Sequence, residues 1–412
     1  MHFACRVFPL LLVWVACTDR PSLTDGDTDT SKDPTTTMSV PTEPGETPLD
    51  TMMVPGGPPT QCGPPCDETW TFVGDLELGD LNFSSTDQFR CMTRIVGSLG
   101  IYDLDQDQLS GLQNLVSIEG GLAILSETLT DLSPFACLEE VTSQIQLGNA
   151  ENLTDVTGFS ALRFTPLFRL WYTGVSALPT FSPEFAGLAQ LEIKGNHSLV
   201  DLDGMATWKP DPENVWAIVS DNERLTSVAG LNGLLTGGSE SSSVWLEFLP
   251  ALSSLDGLEG AAELYSVDLG FLPLVEDLTP LAQLERVDRL SLASMPLVQD
   301  LQGLDQLTTA GTLIIGGCWT SAPYTGMEGL TSLAGLSSLT SVGAFGIQGN
   351  EHLVTLAGAD QLTVIGERWA VEDNPVLEFA AIDAFAAQVG KDRCDPSFDP
   401  ECACYELAED SF

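Results

Sequence analysis

The sequence predicts a mainly β fold: a parallel β-solenoid of about twelve to thirteen leucine-rich coils with a short C-terminal helix. Three observations carry this. A motif of apolar, any residue, apolar, two residues, Asn, two residues, Leu recurs as LEIKGNHSL from Leu191, AIVSDNERL from Ala217, FGIQGNEHL from Phe345 and WAVEDNPVL from Trp369. Looser copies place landmark leucines at a period of about twenty to thirty residues, the length of one coil rather than of a hairpin. Of 412 residues, 43% are hydrophobic, enough to bury a long continuous core.

Residues 1–17 read as a signal peptide. Arg6 precedes the apolar run Val7 to Ala16, which is too short to span a bilayer, and Cys17 follows at once. Val15, Ala16 and Cys17 resemble a bacterial lipobox, which implies a lipid on Cys17, although Trp14 stands where that pattern usually has Leu. Residues 18–61 are rich in Thr, Pro, Asp and Gly and cannot bury enough apolar surface to offset chain entropy, so they read as a disordered acidic linker. Asp25, Asp27 and Asp29 alternate as calcium ligands do, but Thr30 stands where such a loop needs Gly; Asp103, Asp105 and Asp107 fail the same test at Gln108.

Residues 62–390 form the repeating head. Short alternating segments read as strands: IYDL at Ile101, LAIL at Leu122, IQLG at Ile145, LFRL at Leu167, LEI at Leu191 and WAIV at Trp216, then VWLEF at Val244, YSVDL at Tyr265, LSL at Leu290, TLII at Thr312, FGI at Phe345 and WAV at Trp369. About twenty residues separate successive strands, so they run parallel, each coil stacking on the last. Asn196, Asn222, Asn350 and Asn374 fall at the corner after a strand, where an Asn amide can satisfy buried backbone groups and tolerate unusual dihedrals, and where a ladder of them would secure each coil. FAAIDAFAAQV from Phe379 has one apolar helical face and reads as part of a cap; residues 391–412 form a Cys-rich C-terminal cap.

LQNLVSIEGGLAI from Leu112 and GLSSLTSVGAFGI from Gly335 resemble the receptor L domain, the leucine-rich module of growth-factor receptor ectodomains, and its relatives on bacterial surface lipoproteins. The resemblance implies a right-handed β-helix and covers roughly residues 72 to 390, long enough for two such domains, about 62–205 and 206–390. It implies a scaffold for recognition rather than a chemistry. No cysteine-rich module, membrane helix or kinase accompanies it, so receptor signalling is not implied.

Fifteen basic against 59 acidic residues give a net charge of -44, which disfavours nucleic acid and leaves a protein or a glycan as the expected partner. Export implies disulfides among Cys62, Cys66, Cys91, Cys137, Cys318, Cys394, Cys402 and Cys404, with no pairing legible. Cys394, Cys402 and Cys404 lack the histidines and spacing of a zinc site, and no metal or cofactor is expected. No nucleophile elbow, phosphate loop or His pair points to an enzyme, although the β-helix class includes polysaccharide lyases and hydrolases. The candidate ligand residues are Trp319 and Tyr324, in the coil that breaks the repeat after Gly316, and Trp171 with Tyr172. Trp208, Trp216 and Trp245 extend the second group, with Trp216, Trp245 and Trp369 expected partly in the core; His197 and His352 fall at turn positions and read as scaffold. If Cys17 carries the anchor, Cys17→Ala releases the protein from membranes in cell fractionation; unchanged membrane retention overturns the anchor.

Overall fold

The computed structural model describes residues 63–79, 86–211, 214–235, 241–317 and 325–392. Cys17, Cys62, Cys318, Trp319, Tyr324, Cys394, Cys402 and Cys404 lie outside them. The strands in chain order are β1 (Trp70–Val73), β2 (Leu76–Gly79), β3 (Met92–Val96), β4 (Leu99–Tyr102), β5 (Ser117–Ile118), β6 (Leu122–Leu125), β7 (Glu140–Val141) and β8 (Ile145–Ala150). They continue with β9 (Leu167–Thr173), β10 (Gln190–Lys194), β11 (Trp216–Ser220), β12 (Ser243–Glu247), β13 (Glu263–Gly270), β14 (Arg286–Ala293), β15 (Thr309–Gly316), β16 (Ser341–Gln348) and β17 (Val364–Glu372).

Every strand expected from sequence forms, and all pair in parallel. One sheet of thirteen strands runs from β2 through β4, β6 and β8 to β17 in chain order, and a second of four strands, β1, β3, β5 and β7, lies beside its first coils. Each early coil therefore carries two short strands separated by a bend. At Gly97, with φ 144°, a Cβ would stand 2.2 Å from the Gly74 carbonyl oxygen, so only glycine fits the bend against the preceding coil. From β13 onward the two strands merge into single strands of eight or nine residues. The long sheet continues across residues 205 and 206, with β10 paired to β11 from Gln190–Trp216 to Lys194–Ser220.

Alternation directs the core. Leu191, Ile193, Leu199 and Leu202 of one coil are fully buried, and the same positions of its neighbours stack on them. Each such side chain contributes about 1.5–3 kcal/mol on burial. Acidic residues hold the opposite turn: Oδ1 of Asp131, Asp155, Asp201, Asp277 and Asp300 each accepts a bond from the backbone N–H two residues on, at 2.8–3.0 Å. Ser227 and Ser254 fill the same role through their hydroxyls. Part of the negative charge is thus turn chemistry. At Asp155 the Thr157 hydroxyl and N–H hold the carboxyl below its usual range.

The corner after each long-sheet strand is more varied than the sequence suggested. Asn196 Oδ1 accepts from the Thr173 N–H, and its Nδ2 donates to the Leu170 and Lys194 carbonyls. Asn222 Oδ1 accepts from the Asn196 N–H at 2.9 Å, while its Nδ2 donates to Ile193 and Ser220. Asn350 and Asn374 repeat the arrangement. The ladder is therefore two separate pairs, not a continuous column. Between them Leu249, Leu272 and Met295 fill the corner position, fully buried, and apolar packing replaces the amide. Nor does Asn take the left-handed conformation; the preceding residue does, as Gly195, Asp221, Gly349 and Asp373.

Both ends are closed. At the first coils Cys66 and Cys91 form a disulfide, and Asn114 Nδ2 donates to the Pro64 and Arg90 carbonyls at 2.9 Å. Cys137 is also disulfide-bonded. At the far end the helix Phe379–Gln388 lays Phe385 against Phe345 and Trp369, with ring centroids at 5.6 and 6.2 Å. Gln388 Nε2 donates to the Ala359 and Leu362 carbonyls at 2.9 Å, tying the helix to the coil beneath it. Asn222→Ala strands the Asn196 N–H and withdraws the amide donor from the Ile193 carbonyl, so it should cost on the order of 3 kcal/mol in chemical denaturation, while His197→Ala, at the exposed position after Asn196, costs within about 0.5 kcal/mol.

Candidate functional site

The outward positions of β9 to β13 bring together a chemically distinctive surface of aromatic and charged side chains. On β9, Phe168 and Leu170 point into the core, which turns Arg169 and Trp171 outward. The neighbouring strands continue the same rows. Arg169 pairs in register with Glu192, Glu192 with Ile218, Ile218 with Trp245, and Trp245 with Asp268; beside them Trp171, Lys194, Ser220 and Glu247 form a second row.

Trp171, Tyr172, Lys194, Ile218, Trp245 and Glu247 line an open recess of about 470 Å³. Its walls are fixed by neighbours. The Arg169 guanidinium stands 5.3 Å from the Trp171 ring centroid, accepts the pull of Glu192 at 3.2 Å, and donates to Gln144 Oε1 at 3.1 Å. That cation–π contact is worth about 0.5–2 kcal/mol. Tyr172 occupies the left-handed corner position with φ 52°, and a Cβ on Gly195 would lie 2.4 Å from its ring, so glycine in the next coil makes room for it. The indole Nε1 atoms of Trp171 and Trp245 are both buried and have no hydrogen-bond partner among the described residues. Alongside, Trp216 and Tyr265, 47% and 45% exposed, line a second recess of about 440 Å³ with Asn214 and Ser241.

The face closes beyond β12. Asp268, Ser291 and Ile314 occupy outward positions yet are buried. Burial raises the Asp268 carboxyl above its usual range, against the lowering pull of Arg289, whose Nε lies 3.1 Å from Oδ1, and of the Ser266 hydroxyl.

Of the sequence-predicted ligand residues, Trp171 and Tyr172 share one recess; Trp319 and Tyr324 lie outside the described residues. Trp208 is a core residue, stacked on Phe181 at 4.2 Å and edge-on to Phe168. Trp369 is also buried. Trp216 and Trp245 do not enter the core as expected, because Ala217, Val219, Val244 and Leu246 fill the inward positions of their strands. Tyr265, Glu192 and Lys194 also belong to this surface, although no motif in the sequence marks them. Their signal was positional: each is an outward residue on a strand adjoining a tryptophan.

No protein-family model and no curated protein matches the chain. Among solved structures it is similar to an internalin, InlF, of Listeria monocytogenes, at 16% identity over 66% of this chain and 79% of that one, with a TM-score of 0.34. So distant a likeness carries neither a ligand nor an activity across.

Because its folded-state pKa is raised, Asp268 binds its proton more tightly folded than unfolded, and its contribution to stability falls as pH rises from the unfolded value through the folded one. Asp268→Asn alone removes a carboxylate from a buried guanidinium and should cost about 3 kcal/mol at neutral pH, whereas Asp268→Asn with Arg289→Met should recover most of that loss in the same denaturation assay.

Proposed function

We propose that this chain is a non-catalytic recognition protein of the cell exterior, of receptor-L-domain type, which presents the outward face of β9 to β13 to a protein or glycan ligand. On this reading a lipid on Cys17 anchors it to the bacterial outer membrane or cell surface, residues 18–61 act as the tether, residues 62–390 are the binding head, and the Cys-rich residues 391–412 complete its cap. No described helix is long and apolar enough to cross a membrane.

One observation supports this reading above others. The recess between Trp171 and Trp245 is walled by outward-facing aromatic rings with Lys194 and Glu247 beside them, on strands whose inward positions already supply the core. Flat rings with a polar edge suit sugar faces and peptide side chains alike, and they are rigid before the ligand arrives. Arg169 and Glu192 already neutralise one another at 3.2 Å, which leaves shape and hydrogen bonding as the main determinants at that wall.

The whole chain applied to glycan and extracellular-protein arrays should give a ligand whose affinity falls about tenfold or more in Trp171→Ala and in Trp245→Ala, with melting temperatures little changed because both side chains face outward. Turnover of a polysaccharide at catalytic protein concentration would instead make it a carbohydrate-active enzyme. Arrays that stay blank would favour a passive envelope component.

A further inference from the structure

We infer that a third recess, at the corner after β11 to β13, takes a single arginine or lysine side chain of a partner polypeptide. The inference rests on the recognition reading above and names the chemistry of one contact. The recess encloses about 290 Å³ between an apolar wall, Phe248, Pro250, Phe271 and Pro273, and an acidic rim, Asp221 and Glu223. Binding pockets for drug-sized ligands run from about 300 to 1,000 Å³, so this one suits a single long side chain rather than an oligosaccharide.

The wall departs from the scaffold around it. At the left-handed corner position most other coils use Asp103, Asn149, Gly195, Asp221, Gly349 or Asp373, residues that reach it cheaply, while one uses Ser294 and one Tyr172. Two successive coils place phenylalanine there instead, Phe248 with φ 53° and Phe271 with φ 55°, and the rings stack at 4.8 Å and 20°. Apart from Tyr172, the other corners close with smaller residues. In the same coils the corner amide is replaced by Leu249 and Leu272. Beside the recess Leu274 and Leu297 are 46% and 42% exposed, which gives an apolar shelf for the residues that flank the inserted side chain.

The charge of the rim selects the occupant. A guanidinium or ammonium over the phenylalanine faces gains cation–π attraction and places its donors toward the two carboxylates. The present neighbours hold those carboxylates weakly: Lys194 Nζ is 3.6 Å from Asp221, and His197 Nδ1 is 3.9 Å from Glu223, both pairs exposed. A net charge of -44 also draws basic segments toward the surface and repels acidic ones. Ser220 lines the tryptophan recess and Asp221 this one, so a peptide crossing the corner reaches both.

The test uses the full chain on an immobilised decapeptide array in which one Arg or Lys beside Leu is compared with Gln at the same place. The expected result is a preference of about tenfold for the basic residue, abolished in Asp221→Asn with Glu223→Gln and reduced in Phe271→Leu, which keeps apolar volume at the wall. Equal binding of the basic and Gln peptides, or a preference that survives the double carboxamide variant, overturns the inference. Its failure is separable from that of the sheet-face reading. Loss of array ligands in Trp171→Ala without any basic preference leaves that reading intact and sinks this one; a basic preference indifferent to Trp171→Ala does the reverse.

Discussion

Everything in this molecule depends on one constraint: each coil must satisfy its backbone against the next at the spacing of a parallel sheet. Strands in a solenoid have no hairpin partner, and a coil removed from its neighbours would expose a row of N–H and C=O groups together with its leucines. The chain meets the constraint differently on each side. On the long sheet the strands themselves do it. At the corner the Asn amides bond one coil to the next, and on the opposite side short Asp and Ser side chains close the turn locally. The first and last described coils carry the Cys66–Cys91 disulfide with Asn114 and the helix Phe379–Gln388.

The same constraint frees the outward face. Because inward positions and corners hold the coils together, the side chains between them can vary without unfolding the protein. Over most of the long sheet that freedom yields small or polar residues, such as Gly100, Ala123, Gln146 and Gly346. Across β9 to β13 it yields Trp171, Trp216, Trp245 and Tyr265 with their charged neighbours, and the concentration of rings in so few coils is what marks the surface.

How much of this the sequence announced varies with the physics involved. The strands were legible because alternation of apolar residues is a direct image of inward and outward faces. Asn196 and Asn222 were legible because the motif fixes them relative to the strand. Hydrophobicity alone misplaces Trp216 and Trp245; for Trp216 the motif gives the orientation, since Ala217 and Val219 are its two apolar positions and leave Trp216 and Ile218 facing out, whereas Trp369 itself begins the motif and turns in. The left-handed corner residue was not legible, since Gly195, Asp221, Tyr172 and Phe248 share a backbone angle and nothing else. Nor was the shared recess, which joins residues as far apart in sequence as Trp171 and Glu247 and exists only once β9 to β12 are stacked.

The break in the Asn ladder has a mechanical meaning. Amide bonds from coil to coil are directional and resist shear between neighbouring turns, whereas the leucine and methionine contacts at Leu249, Leu272 and Met295 keep their energy through small sliding displacements. Where the amides are missing, the sheet itself lengthens: from β13 onward each strand runs eight or nine residues against five in β10 to β12, so backbone bonds between coils take over the resistance to shear that the Asn pairs supply elsewhere.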